Sequence, residues 1–264
     1  MLKIENLSKT FNANTVNEKK AIQNLSITIN DGDFITVIGG NGAGKSTLLN
    51  LISGTLTSDE GKITIDDIDI TKQKEYKRAA FIGRVFQDPM TGTCADLSIE
   101  ENLSLAKRRG KKRTLRLGLT AHEKKEYKTL LESLNLGLEK RLSSKVGLLS
   151  GGQRQALTLL MSTLVRPKLL LLDEHTAALD PKTAAKVLEL TTKIVEKDKL
   201  TTLMITHNMK DALKYGNRLI MMMDGKIILD IAGEEKAKLT VNDLLQMFEK
   251  ATGGEVVNDR MLLA

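Results

Sequence analysis

The segment Gly39-Gly40-Asn41-Gly42-Ala43-Gly44-Lys45-Ser46 has the residue types and spacing of a phosphate-binding loop, G-x-x-x-x-G-K-S/T. Glycines here let backbone N–H groups converge on a phosphate at the positive end of a helix dipole. The motif needs a strand before it and a helix after it, and the β-branched run before Gly39 and the helix-forming run from Thr47 supply both. We expect Lys45 to reach the β- and γ-phosphates and Ser46 to bind Mg²⁺. The predicted nucleotide contacts are Gly39, Asn41, Gly42, Ala43, Gly44, Lys45, Ser46 and Thr47.

Two carboxylates follow a second apolar run. Four leucines at 169–172 lead into Asp173 and Glu174. Asp173 is placed to hold Mg²⁺, directly or through water, and Glu174 to orient or deprotonate the water that attacks the γ-phosphate. Without the glycine-rich loop elsewhere in the chain, an Asp-Glu pair after a strand could also be the start of an ordinary helix. Together with the glycine-rich loop, it predicts a P-loop nucleotide hydrolase or kinase.

A second glycine-containing segment, Leu149-Ser150-Gly151-Gly152-Gln153-Arg154-Gln155, opens a predicted helix. The start of a helix attracts anions, so this segment is a second candidate phosphate-binding site. One chain therefore has two such loops for one nucleotide site. The economical explanation is a head-to-tail pair of chains, in which each nucleotide lies between the first loop of one chain and the second loop of the other.

Over about residues 2–232, the sequence resembles the ATP-binding-cassette ATPases, to which the run at 149–155 is specific. The resemblance implies that Phe11 stacks on adenine. It implies that Gln87 contacts Mg²⁺ and the attacking water and that His207 contacts the γ-phosphate. Asp180 matches the acidic position of the loop that crosses the dimer interface. The residues implied to complete the partner chain's site are Ser150, Gly151, Gly152 and Gln153.

Each of the single residues also has a structural interpretation. Phe11 could be a core residue, Asp180 a helix cap before Pro181, and His207 a histidine at a strand end. One position departs from the family pattern, because Glu174-His175-Thr176 stands where the family usually has Glu-Pro-Thr. His175 removes a rigid turn residue and adds a titratable group. We interpret it as a tolerated surface variant; the alternative is that it tunes Glu174 or the interface.

The elements that must position these residues alternate along the chain. Leu25, Ile27 and Ile29 alternate with polar residues, as in a half-buried strand, and continuous apolar runs precede Gly39 and Asp173. The pattern predicts an α/β protein. By resemblance, it has a P-loop (RecA-like) core with a mainly parallel sheet, an N-terminal antiparallel β subdomain and an inserted α-helical subdomain. The predicted domains are 1–235, with core 1–90 and 151–235 and helical subdomain 91–150, then a helix and tail at 236–264.

The excess positive charge lies in one segment. The chain has 264 residues and a net charge of +7, with 41% hydrophobic and 28% charged residues, which excludes a disordered or collagen-like chain. Ten Lys and Arg residues against two Glu residues give residues 107–128 a charge of +8 and leave the remainder at −1. We consider three interpretations of this basic segment: a solvated helix face, a contact with lipid headgroups or acidic partner loops, and a nucleic-acid contact.

The expected activity is ATP hydrolysis, with ATP and Mg²⁺ bound, at the cytoplasmic face of a membrane. The chain has one cysteine, no apolar run long enough to cross a bilayer, and no apolar segment at its N-terminus that resembles a signal peptide. We therefore expect a separate transmembrane permease subunit as partner, an extracytoplasmic substrate-binding protein as an indirect one, and no nucleic acid. The runs 75–79, 84–90 and 173–180 resemble importer ATPases paired with amino-acid-binding proteins. The alternatives are a cassette ATPase that acts on nucleic acid or ribosomes and, third, a small-molecule kinase.

Overall fold

The computed structural model describes residues 1–111 and 118–251. They form two compact units: the first comprises Met1–Arg78 and the described part of Lys199–Ala264, and the second comprises the described part of Ala79–Asp198. The predicted tail beyond Ala251 and part of the basic segment lie outside the described residues. In chain order the elements are β1 (Leu2–Phe11), β2 (Lys19–Ile29), β3 (Phe34–Ile38), α1 (Lys45–Ser53), β4 (Glu60–Ile65), β5 (Ile68–Asp69), α2 (Glu75–Arg78), β6 (Ile82–Val85), α3 (Ile99–Lys107), α4 (Ala121–Glu132), two short 3₁₀ helices (Leu138–Lys140 and Val146–Leu148), α5 (Gly151–Thr163), β7 (Leu169–Asp173), α6 (Pro181–Asp198), β8 (Thr202–Ile205), α7 (Met209–Lys214), β9 (Arg218–Met223), β10 (Lys226–Ala232), α8 (Gly233–Lys238) and α9 (Val241–Ala251).

The N-terminal sheet of the first unit is antiparallel, with strand order β2-β1-β4-β5. Its alternating residues pair across one apolar face: Ile4 lies opposite Ile27 on β2 and opposite Ile63 on β4, and all three are buried. A period of two places alternate side chains on one face of a strand. The predicted N-terminal β structure, including the alternation at Leu25, Ile27 and Ile29, is confirmed.

The core strands of the first unit are mainly parallel. β3 is buried along its whole length and lies between β8 and β9, parallel to both, while β10 pairs antiparallel with β9. Because β3 and β8 run parallel, with Val37 opposite Ile205, the segments that follow them leave at the same edge of the sheet. The phosphate-binding loop and His207 are therefore placed on one side.

The second unit contains the parallel pair β6 and β7 and the helices α3, α4, α5 and α6. β7 is buried at each of its leucines. A hydrophobic cluster joins α3, α4 and α5 through fully buried residues that include Leu103, Tyr127 and Leu157. The helical character predicted for 91–150 is confirmed in its described part, and the predicted domain boundaries stay a prediction. Among the described helices, none combines the length and the apolar character needed to span a bilayer.

Much of the described part of the basic segment is bound within the second unit. Lys107 pairs with Glu126, and Arg109 donates hydrogen bonds to the carbonyls of Ser162 and Val165 where α5 ends. Two more of its cations pair with carboxylates: Arg108 with Glu123 at 3.4 Å and the exposed Lys124 with Glu100 at 2.9 Å. The other exposed cations of the described part are Lys111, Lys125 and Lys128. Lys112, Arg113 and Arg116 lie outside the described residues.

The chain's one cysteine, Cys94, has an exposed side chain in the second unit. Its backbone is fixed on both sides by Asn102 of α3. Cys94 N–H donates to Asn102 Oδ1 at 2.8 Å, and Asn102 Nδ2 donates to the Cys94 carbonyl at 3.0 Å. The thiol is therefore carried by an ordered piece of backbone.

Candidate active site

The glycine-rich loop of the first unit folds tightly between β3 and α1. Gly39 has φ 148°, and a Cβ atom on it would lie 2.2 Å from the Met222 carbonyl oxygen, so only glycine fits there. Lys45 is 5% exposed, and its ammonium donates to the Gly39 carbonyl at 2.7 Å and the Gly40 carbonyl at 3.1 Å. The lysine thus folds back over the loop, which places its charge where the motif requires a phosphate.

The other predicted loop residues differ in exposure. Asn41, Gly42 and Ser46 are exposed, Gly39 and Thr47 are half-buried, and Ala43 and Gly44 are buried. The exposed residues lie where a ligand can reach the surface of the loop. The buried ones anchor the loop, as the Gly225 N–H shows by donating to the Ala43 carbonyl at 3.0 Å.

A second cation, Lys19, lies beside the loop and was not predicted from the sequence. A Cβ atom on Gly42 would lie 3.0 Å from Lys19 Nζ. Lys19 is also the residue opposite Phe11 in the pairing of β1 with β2, so it connects the predicted adenine-stacking residue with the phosphate loop. The half-buried Phe11 ring has the Lys9 ammonium 5.9 Å from its centroid. The contact of Lys19 depends on strand register, and no motif marks that residue.

His207 lies at the loop edge of the first unit, two residues beyond β8. The Thr206 N–H donates to the Val37 carbonyl at 3.2 Å, which continues the pairing past the strand end, and His207 is exposed. Asn208 then caps α7, because its Oδ1 accepts from Lys210 N at 2.9 Å and Asp211 N at 3.2 Å. Within the first unit, the phosphate loop and His207 therefore lie at the same edge of the parallel strands, and Phe11 is connected to the loop through Lys19.

In the second unit, Gln87 follows β6 and Asp173 is the last residue of the neighbouring parallel strand β7, with Val85 of β6 opposite Leu172 of β7. Asp173 Oδ2 accepts from Arg84 Nη2 at 3.2 Å, and both side chains are only about one-eighth exposed. The Arg84 guanidinium also lies 4.5 Å from the centroid of the Phe86 ring. Arg84 therefore balances the charge of the predicted metal ligand, a role that no sequence motif indicates.

Glu174 and His175 differ from the sequence expectation. Glu174 has φ 46°, in the left-handed region that residues other than glycine seldom adopt. The prediction that His175 is a surface variant is wrong, because the residue is 2% exposed and its Nε2 lies 3.0 Å from Thr191 Oγ1 of α6. Burial lowers the pKa of His175 to about 4, so the imidazole is neutral at pH 7.

The segment at 150–153 opens α5 with a capping box. Ser150 Oγ accepts from Gln153 N at 3.3 Å, and Gln153 Oε1 accepts from Ser150 N at 3.2 Å. Gly151 is exposed, whereas a Cβ atom on Gly152 would lie 2.1 Å from Thr183 Cγ2, so Gly152 is required by packing. The capping box satisfies the Gln153 N–H within the chain, and the exposed Gly151 lies at the positive end of the helix, where an anion is favoured.

Two further contacts organise the second unit. Gln155 is fully buried, and its Nε2 donates to the Phe86 carbonyl at 3.0 Å, so α5 holds the backbone directly before Gln87. Asp180 caps α6, with Oδ1 accepting from Thr183 N at 3.1 Å, and hydrogen bonds from Thr183 hold the pKa of Asp180 below its usual value. The cap interpretation of Asp180 is confirmed, and its role at a dimer interface stays a prediction.

The predicted metal ligands have the chemistry that Mg²⁺ prefers. Ser46 offers a hydroxyl oxygen, Gln87 an amide oxygen and Asp173 a carboxylate, all hard oxygen donors. Among residues 1–111 and 118–251, no group of three or more His, Cys, Asp or Glu could hold a metal ion.

Comparison with known proteins identifies the family. A family model described as "ABC transporter" matches residues 22–177. The chain belongs to the ABC transporter family. It is therefore an ATP-binding-cassette ATPase, since the cassettes of this family hydrolyse ATP to power transport.

Relatives of this ABC ATPase align along most of its length. The "Tyrosine transport ATP-binding protein" of Clostridioides difficile (strain R20291) is 54% identical over 252 residues, which is 95% of this chain and 100% of the relative. The "Energy-coupling factor transporter ATP-binding protein EcfA2" of Clostridium tetani is 36% identical and aligns with 87% of this chain and 78% of the relative. A solved dimer of the ATP-binding cassette MJ0796 with ADP and Pi has 29% identity and a TM-score of 0.75, over 88% of this chain and 98% of that one.

Proposed function

We propose that this chain is the ATP-hydrolysing subunit of an importer and drives uptake of a small nutrient, such as an amino acid, through a separate transmembrane permease. The observation that carries the proposal is the 54% identity, along 95% of this chain, to a protein named for tyrosine transport. The subunit works at the cytoplasmic face of the membrane. An extracytoplasmic binding protein delivers the cargo to the permease and does not contact this chain.

The proposed chemistry assigns each group a role at one Mg-ATP. Residues 39–47 bind the phosphates, Phe11 stacks on adenine, and Ser46, Gln87 and Asp173 hold the metal. When bound, Mg²⁺ neutralises charge on the β- and γ-phosphates. Glu174 accepts a proton from the attacking water or orients it, Gln87 positions that water, and His207 contacts the γ-phosphate.

The proposal includes a head-to-tail dimer formed with ATP. Support comes from the second anion-binding helix start at 150–153, which a single nucleotide on the same chain leaves without a use. The related cassette MJ0796 is described as dimeric with ADP and Pi. Ser150, Gly151, Gly152 and Gln153 of one chain then complete the site of the other, and Asp180 lies at the interface between them.

Replacing Glu174 with Gln tests the hydrolysis mechanism. The variant keeps the shape of the side chain but lacks the base, so we expect turnover to fall at least 100-fold while ATP binding persists. Size-exclusion chromatography with Mg-ATP should then show a stable dimer. The exposed Glu132 of α4, changed to Gln, is the matched control and should hydrolyse ATP normally. Turnover near wild type in the Glu174 variant would refute the mechanism.

Isolating the native complex from membranes tests the transport assignment. We expect a transmembrane subunit to co-purify and ATPase activity of the reconstituted complex to rise when a loaded amino-acid-binding protein is added. Stimulation by RNA or DNA, with no membrane partner, would instead favour a cassette ATPase that acts on nucleic acid or ribosomes.

A further inference from the structure

His175 is a buried polar residue that directly follows the proposed catalytic base. Its imidazole is 2% exposed, and its Nε2 lies 3.0 Å from Thr191 Oγ1, sixteen residues later in the middle of α6. Thr191 is fully buried as well. A buried imidazole without a hydrogen bond is costly, so this contact is a strong constraint on where residue 175 can lie.

The direction of this hydrogen bond follows from the hydroxyl's single proton. Thr191 Oγ1 donates to the Val187 carbonyl at 2.8 Å, which uses the one proton that a threonine hydroxyl has. Its oxygen must therefore accept from His175, and the imidazole carries its proton on Nε2. This hydrogen bond, from His175 Nε2 to Thr191 Oγ1, is a tether between the loop after β7 and helix α6.

The backbone of Glu174 needs such a tether. Its φ of 46° is unfavourable for a residue with a side chain, by about 1–2 kcal/mol. The Ala177 N–H donates to the Glu174 carbonyl at 2.9 Å and closes the turn on one side. A proline at 175 would push the preceding residue toward extended backbone with negative φ, which is not the conformation of Glu174.

We propose that His175 is a positioning residue for Glu174: its hydrogen bond to Thr191 fixes the backbone that presents the carboxylate, in a conformation that a proline at 175 would disfavour. This inference rests on the proposed role of Glu174. The tether also fastens the same loop to α6, the helix that begins after Asp180. His175 itself touches no reacting atom.

The test compares variants at both ends of the tether with a matched control on the same helix. Thr191→Val removes the acceptor, and His175→Ala removes the donor. Thr192→Val is the control, because Thr192 makes the same kind of bond to its own helix, to the Leu188 carbonyl at 3.0 Å. His175→Gln retains an N–H donor near the position of Nε2.

We expect Thr191→Val and His175→Ala each to lower kcat about tenfold and to change KM for ATP less than twofold, because the phosphate loop is untouched. The double variant should lose no more than either single variant. Thr192→Val should match wild type, and His175→Gln should regain most of the lost kcat. Thermal unfolding and fluorescent-ATP binding verify that each variant is folded. If His175→Ala fails to fold, Thr191→Val and His175→Gln still test the role of the hydrogen bond.

Three results would overturn the positioning role while Glu174→Gln still abolishes turnover: wild-type kcat in Thr191→Val, equal losses in Thr191→Val and Thr192→Val, or losses that multiply in the double variant. If Glu174→Gln itself retains turnover, the proposed function fails first. The two failures are therefore distinguishable.

Discussion

Arg84 and Asp173 show how one residue can set the charge at the proposed metal site. The guanidinium lies 3.2 Å from a carboxylate that we expect to bind Mg²⁺, and both side chains are mostly buried. Without metal, Arg84 balances the negative charge of Asp173. When a divalent cation arrives, the same positive charge opposes it.

Arg84→Met should therefore strengthen metal binding. We expect the Mn²⁺ concentration for half-saturation, measured by electron paramagnetic resonance on ATP-bound Glu174→Gln protein, to fall several-fold. Metal-free protein should lose about 2 kcal/mol of stability, because Asp173 loses its ion pair with Arg84. Arg84→Lys retains the charge and is the control. Weaker Mn²⁺ binding in Arg84→Met would contradict this account.

Sequence patterns predicted the strand and helix on either side of the glycine-rich loop and the buried strand that ends before His207, because these local patterns depend on neighbouring residues. The roles of Lys19 and Arg84 were not predicted, because the positions of these residues depend on which residues face each other in paired strands. His175 was wrongly expected at the surface. Its burial depends on Thr191, and nothing in the local sequence of either residue reports that contact.

At the scale of elements, the end of helix α1 depends on one buried arginine. Arg78 is 1% exposed and donates to the carbonyls of Leu51 at 2.6 Å and Ile52 at 2.9 Å, in the last turn of α1. It also donates to the carbonyls of Thr71 and Gln73. Arg78 thus connects the helix that starts at the phosphate loop with the segment around α2.

Arg78→Met should lower the free energy of unfolding by about 3 kcal/mol, because several carbonyls lose their donor at once. Urea unfolding followed by circular dichroism measures the change. The neighbouring exposed residue gives the control, and Lys77→Met should stay within about 0.5 kcal/mol of wild type. Equal stability of the two variants would show that water replaces the guanidinium.

The C-terminal helices pack against the flanks of the active-site segments in the first unit. Leu244 and Phe248 of α9 share a cluster with Ile38, which precedes the phosphate loop, and with Met209, which follows His207. In α8, Lys236 is 3% exposed, and its ammonium donates to the carbonyls of Tyr215 and Gly216. A helix was predicted within residues 236–264, and α9 with its Thr240 cap confirms it; the burial of a lysine was not predicted.

Burial lowers the pKa of Lys236 from 10.5 to about 8, which gives a pH dependence with a definite sign. Below pH 8, Lys236 is protonated in both the folded and the unfolded state, so its contribution to the free energy of unfolding does not change with pH. Between pH 8 and 10.5 the unfolded state binds more protons, so stability rises with pH, by at most about 1.4 kcal/mol per unit. We expect denaturant unfolding of wild type to show this rise relative to Lys236→Met. Parallel curves for the two proteins would contradict it.

At the scale of the whole molecule, net charge alone was a poor guide to partners. The +8 of the basic segment suggested an outward-facing contact, yet Lys107, Arg108, Arg109 and Lys124 bind groups within the second unit. Composition gives the number of charges, whereas pairing depends on the fold. The contacts of these four cations within the chain reduce the charge available to a partner, and the three interpretations of the segment stay predictions.

The proposed dimer predicts complementation between two inactive proteins. Lys45→Ala damages the phosphate loop, and Ser150→Arg damages the segment that completes the partner's site. Each should be inactive alone. Mixed in equal amounts, half of the dimers are heterodimers with one intact composite site, so we expect about a quarter of wild-type ATPase activity. Activity no higher than that of the separate proteins would argue against shared sites.

Cys94 makes that assembly directly measurable. Because it is the chain's one thiol and is exposed on backbone held by Asn102, a maleimide or nitroxide reagent labels a single defined point without any cysteine removal. A symmetric pair of labelled chains carries two identical probes, so one distance distribution reports both the presence of the pair and its change through the ATP cycle. The wild-type sequence, once labelled with a nitroxide at Cys94, is thus already suited to pulsed-dipolar spectroscopy.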